Sequence, residues 1–142
     1  MLEGAVVPRK EHWKEEPDAQ DYPAATSYLS LLTTEERAKS LVEALEKAPI
    51  VHRFAKDILR ASRLPPLPSG NVHVQGDLKK VAKGRRLSPV LLIAGDLSED
   101  VPLTIADGYH RICASYLLNE DAPIPCRMVD FDGHARDEPV ER

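Results

Sequence analysis

Cysteine is scarce in this chain of 142 residues, which holds only Cys113 and Cys126. Two thiols build no disulfide framework, and theirs is not the spacing of a zinc site. A reducing cytoplasm is the expected compartment, with both thiols buried and inert. Long apolar runs are missing as well. The longest, Pro89–Gly95, falls far short of the roughly 20 residues of a membrane span. Glu3, Arg9, Lys10, Glu11, Lys14 and Glu15 crowd the start and leave no apolar segment for an export signal. No membrane partner is therefore expected. No internal repeat is present, which excludes solenoids and propellers. The histidines His12, His52, His73, His110 and His134 form no pair at the helical spacing of a metal site, so no structural metal is expected. The single tryptophan, Trp13, sits in a charged stretch, where it either pins that stretch to the domain or marks a partner contact.

What is present is a globular composition, 42% hydrophobic and 30% charged, of a length that suits one domain with a real core. The formal charge is −4, unevenly spread. Residues 1–21 hold six acidic and three basic side chains and residues 130–142 five and two, so the ends carry −6 and the stretch between them +2. That balance excludes bulk coating of nucleic acid. Within the middle, Lys79, Lys80, Lys83, Arg85 and Arg86 fall in eight residues. They form either a solvated helix face or an anion-facing patch.

The pattern predicts a charged irregular arm over 1–21, a single domain over 22–132 and an acidic tail over 133–142. The helical segment 24–62 opens with a pair: one helix near Pro23–Leu32, then one from a capping box at Thr33–Glu36 to about Lys47, stopped by Pro49. A further helix is expected over Val51–Ser62. The Pro-rich stretch 63–70 reads as a stiff connector. Val72–Val74 reads as a short strand, followed by a short helix from Gly76 or Asp77 capped by Gly84. Val90–Ile93 and Val101–Ala106 read as a hairpin, Gly108–Leu118 as a helix closed by a left-handed Asn119, and Ile124–Val129 as a last strand that Pro125 places at an edge or entry. The fold class expected is α+β: a small mixed sheet with short helices, preceded by the helical pair.

The stretch Thr104-Ile105-Ala106-Asp107-Gly108-Tyr109-His110-Arg111 carries the chemistry. A strand ends, a glycine turns the chain and a helix starts, so unpaired N–H groups and the helix dipole face one point. Arg111 is able to grip a phosphate with two parallel hydrogen bonds, and His110 to donate or exchange a proton near neutral pH. The structural alternative makes Asp107 an N-cap and pairs Arg111 with Glu120 or Asp121.

From Asp77 to Val129 the order of pieces is a short helix, Gly84-Arg85-Arg86, Leu87-Ser88-Pro89-Val90-Leu91-Leu92, a hairpin strand, Asp107-Gly108-Tyr109-His110-Arg111, and Ile124-Pro125-Cys126-Arg127-Met128-Val129. In that order the chain resembles the ParB N-terminal domain and sulfiredoxin superfamily, which includes the ParB-like nuclease domains. The resemblance implies that a Gly-x-x-Arg turn wraps nucleotide phosphates, CTP in ParB-type clamps and ATP in sulfiredoxins. It assigns phosphate contacts to Gly108, Tyr109, His110 and Arg111, with Ser88 on the neighbouring wall. Tyr109 stands where sulfiredoxins carry their catalytic cysteine, which argues against sulfinic-acid repair. The chain has no room for the further domains of a partition protein. The turn is closest to the Asp-Gly-His-His-Arg of the superfamily's free-serine kinases. That likeness implies phosphoryl transfer or NTP hydrolysis, with Asp107 and His110 catalytic and Asp107 holding Mg²⁺ once ATP or CTP is bound. Asp77, near the start of the short helix, is the other acid to consider, and the sequence does not place it relative to Asp107. The alternative is a non-catalytic ParB-like module that binds protein, or DNA weakly.

Overall fold

The structure, a computed structural model, describes residues 12–137; the outer parts of the arm and tail, 1–11 and 138–142, lie outside the described residues. A four-stranded mixed sheet sits at the centre, in the order β1 (Val51–Phe54), β4 (Pro123–Val129), β2 (Val90–Ile93), β3 (Thr104–Asp107). β1 and β4 are antiparallel, β2 and β4 parallel, and β2 and β3 form the expected antiparallel hairpin. Helices cover both faces. Helices α1 (Asp21–Leu29) and α2 (Glu35–Lys47) pack on one face through Leu29, Leu41 and Leu45 against Leu91, Ile93 and Val129. Helices α3 (Ala55–Ser62), α4 (Val72–Ala82) and α5 (Tyr109–Leu118) pack on the other through Ile58, Val74 and Ile112 against Val90, Leu92 and Ile124. Successive side chains of a strand point to opposite faces. The unbroken apolar run Val90-Leu91-Leu92-Ile93 is therefore what a strand buried on both sides requires, and all four residues are buried. The α+β class with a small mixed sheet stands. None of the described helices is long and apolar enough to cross a membrane.

Several elements differ from the pattern-based expectation. The helix expected over Val51–Ser62 divides into β1 and α3. Val51 and Ala55 stand four apart and both are buried, so helical spacing runs across a strand-to-helix junction; pairing with β4 decides that Val51–Phe54 is extended. His52 thus lies in a strand rather than opening a helix. The strand expected at Val72–Val74 is the first turn of α4, because the Asn71 side chain caps it, accepting from the N–H groups of His73 and Val74 at 3.0 and 3.1 Å. Helix α4 then runs unbroken through Gly76, and Gly84 follows its end with φ +78°. The cap of α2 is Thr34, not Thr33; its hydroxyl accepts from Arg37 N–H at 3.1 Å. Helix α1 spans Asp21–Leu29 rather than Pro23–Leu32, so Asp21, the last residue of the 12–21 segment, also opens a helix. β3 starts at Thr104, later than expected. Asn119 is extended, with φ −168°.

Pro125 lies in an inner strand rather than at an edge. The β2 ladder joins β4 at Val90 and Cys126, one residue beyond it, so the missing proline N–H falls outside that pairing. Trp13 is pinned, not presented: it is 4% exposed in the core. Around it His12 O accepts from Leu87 N–H, and Lys14 N–H donates to Leu87 O, both at 2.7 Å. The 12–21 segment is thereby strapped along the entry to β2.

Candidate functional site

The β3–α5 junction is built as a tight turn. Gly108 is itself the N-cap of α5, with φ +110°, a backbone region that glycine enters without steric penalty. A Cβ here would lie 2.5 Å from Val90 Cγ1 and 2.8 Å from Val90 Cβ, so the turn sits directly on β2. Asp107 is not the cap. It is the last residue of β3, and its carboxylate reaches forward to Arg111. The first helical N–H bonded within α5 is that of Ile112, donating to Gly108 O at 3.0 Å; those before it have no acceptor within the helix.

A cleft of about 410 Å³ opens at this turn. Four separate segments line it. The strap contributes Lys14, Asp18 and Asp21; α4 contributes His73, Asp77 and Lys80; the approach to β2 contributes Arg86 and Ser88; the turn contributes Asp107, Gly108, His110 and Arg111. Of the basic cluster, Lys80 and Arg86 line the cleft, while the exposed Lys79, Lys83 and Arg85 are not among its walls. Four carboxylates thus face four cations, with two histidines beside them.

Arg111 is not a free cation. Its Nη2 donates to Asp107 Oδ2 at 3.0 Å and to Pro89 O at 3.3 Å, and lies 3.5 Å from Asp21 Oδ2. These partners replace the Glu120 or Asp121 pairing of the structural alternative. Ser88 Oγ donates to Asp21 Oδ2 and accepts from Asp18 N–H at 2.9 Å. Asp107 has a raised pKa: burial is the main cause, the Asp21 carboxylate adds to it, and Arg111 opposes it. Asp77 is also raised by burial, against the pull of Lys80, Arg111, His110 and His73. Its nearest ion-pair partner, Lys80 Nζ, is 4.0 Å away. The His110 pKa is lowered, first by burial and then by His73, whose ring centroid is 4.7 Å away at a tilt of 44°.

The expected site residues Ser88, Asp107, Gly108, His110 and Arg111 therefore come together. Tyr109 does not. Its hydroxyl donates to Pro65 O at 2.6 Å and its ring packs on the core, away from the cleft. Cys113 is buried behind it, where its Sγ accepts from Leu67 N–H at 3.4 Å. Asp21 and His73 were not expected. His73, Asp77 and Lys80 stand at i, i+4 and i+7, one face of a single helix; that signal was in the sequence, but an assumed strand at 72–74 hid it. Nothing local marks Asp21.

A second polar cluster, Asp130, Asp132 and His134, brings ligand-type atoms within 4.8 Å of one another. Asp130 Oδ1 there accepts from the N–H groups of Asp132 and His134, both at 2.9 Å, and Asp132 lies 3.5 Å from Arg37 Nη2. These bonds describe a turn after β4. No family model, curated protein or solved structure matches this chain.

Proposed function

We propose that this cleft binds the phosphates of a nucleotide, ATP or CTP, together with Mg²⁺. The observation that carries the reading is the convergence of Lys80, Arg86, His110 and the start of α5 from three segments on one cleft. A helix start adds N–H donors and a partial positive charge, and lysine and arginine add full charges. The resemblance to the ParB and sulfiredoxin superfamily supports the same ligand class. Asp77 fits a hard cation: it is a half-buried carboxylate with no cation closer than 4.0 Å among its ion pairs, and Mg²⁺ is held by one or two carboxylates plus phosphate. Asp107 fits less well, because Arg111 already engages it. The bound ion would neutralise charge on the phosphates. His110, whose pKa burial and His73 lower, would accept a proton from an attacking hydroxyl or water, which makes phosphoryl transfer or hydrolysis the chemistry this reading implies.

Thermal denaturation with ATP or CTP plus Mg²⁺, against a short DNA duplex, tests the proposal. Ligand at about 100 times Kd stabilises by about 2.7 kcal/mol, and the double variant Lys80→Ala/Arg86→Ala should lose that gain. A shift with DNA and none with either nucleotide would favour the binding-module reading, for which the exposed Lys79, Lys83 and Arg85 outside the cleft speak.

A further inference from the structure

We infer that Asp21 is a built-in plug: its carboxylate occupies the anion seat of Arg111, and the 12–21 strap controls whether a phosphate reaches that seat. The inference rests on the phosphate reading above and adds a regulatory element to it. A guanidinium offers five donors in a fork shaped for carboxylate or phosphate oxygens. Arg111 is held locally by Asp107, four residues before it, at 3.0 Å. One carboxylate balances one guanidinium. Asp21 brings a second, from ninety positions away in sequence, at 3.5 Å. It is 6% exposed, so a second carboxylate is held out of water against a guanidinium that Asp107 already engages, a placement that costs desolvation.

The Asp21 carboxylate is positioned independently of Arg111. Ser88 Oγ donates to the same Oδ2 atom that faces Arg111, and Asp18 N–H donates to Ser88 Oγ. The strap around it is anchored by the buried Trp13 and by the two backbone hydrogen bonds that His12 and Lys14 make with Leu87. Arg111 Nε is buried with no hydrogen-bond partner, so the guanidinium keeps donor capacity that the present arrangement leaves unused. A phosphate arriving at Arg111 would meet two carboxylates already in place. Displacing Asp21 exchanges one anion for another and keeps the local charge tolerable, and the strap must loosen for that exchange to happen.

The test uses the full chain and inorganic pyrophosphate as the probe, with calorimetry for affinity and Trp13 emission as the strap's reporter. Asp21→Asn keeps the shape of the side chain and leaves Arg111 paired with Asp107. The expected result is pyrophosphate affinity at least tenfold above wild type, while the remote Asp57→Asn changes it less than twofold. In wild type, saturation should shift Trp13 emission to the red as the strap loosens. Wild-type binding with equal or weaker binding by Asp21→Asn overturns the plug and leaves the phosphate reading standing. So does an equal gain from Asp57→Asn, which would make the effect one of general charge. Absence of pyrophosphate binding in both wild type and Asp21→Asn overturns both readings. If Asp21→Asn fails to fold, the emission measurement decides: heat of binding without a Trp13 shift overturns the plug.

Discussion

Replacing Gly108 by alanine tests the geometry of the β3–α5 turn most directly. Two separate penalties arise. The backbone at φ +110° lies where an L side chain is strained, at about 1–3 kcal/mol. The new Cβ would sit 2.5 and 2.8 Å from Val90 atoms. Val90 is fully buried in β2 and belongs to the core cluster with Leu92 and Ile112, so it has no free space to yield, and overpacking of this kind adds about 1–3 kcal/mol. The sum, roughly 2–6 kcal/mol by these two contributions, is a large part of the 5–15 kcal/mol typical of a domain. At about 2–4 °C per kcal/mol for a chain near this size, Tm should fall by roughly 10 °C. Gly84→Ala is the internal control. It also has positive φ, +78°, but nothing within 4 Å of the added Cβ, so only the backbone penalty remains. Urea unfolding followed by far-UV circular dichroism gives both values. A Gly108→Ala loss below about 1 kcal/mol, or one equal to that of Gly84→Ala, would refute the claim that the turn is packed against Val90.

Arg111→Ala should destabilise the fold by about 2–4 kcal/mol near pH 7, because it strips the cation from two facing carboxylates; denaturation at several pH values should show the loss recovering in acid as Asp107, whose pKa is already raised, takes up a proton, and a pH-independent loss would contradict this. Asp77→Asn should raise Tm at pH 7 in the presence of EDTA. The raised pKa of Asp77 means that its favourable contribution is present below the unfolded value near 3.8 and is lost as pH rises through the folded value, so the variant's gain should vanish by about pH 3. Thr34→Ala should cost about 1 kcal/mol through loss of the α2 cap, read by the same urea titration. Cys113 and Cys126 are both fully buried, and burial raises the Cys113 pKa. A thiol reagent should therefore label neither before global unfolding, and rapid labelling of Cys113 in the native protein would show that the Tyr109–Leu67 cover opens locally.

Neighbours in sequence were legible before any coordinates. The β2–β3 hairpin, the glycine turn after Asp107 and the start of α5 follow each other within 30 residues, and each is announced by local chemistry: an apolar run, a polar turn, a glycine. So is α2, whose Ala38, Leu41, Val42 and Leu45 repeat at helical spacing. Asp107, Gly108, His110 and Arg111 line one cleft for the same reason. The rest depended on partners far along the chain. Val51–Phe54 is a strand only because β4 offers an open edge more than 65 residues later, and four residues carry too little pattern to announce it. Pro125 is tolerated in an inner strand because the β2 register begins one residue past it, a fact of pairing rather than of composition. The state of Arg111 shows the limit most clearly. Its residue type and its place at a helix start suggested either a phosphate ligand or a pairing with Glu120 or Asp121. Asp21 arrives beside it by the packing of α1 and the anchoring of Trp13. Electrostatic environment is a sum over everything nearby in space, and most of what lies near Arg111 is not near it in sequence.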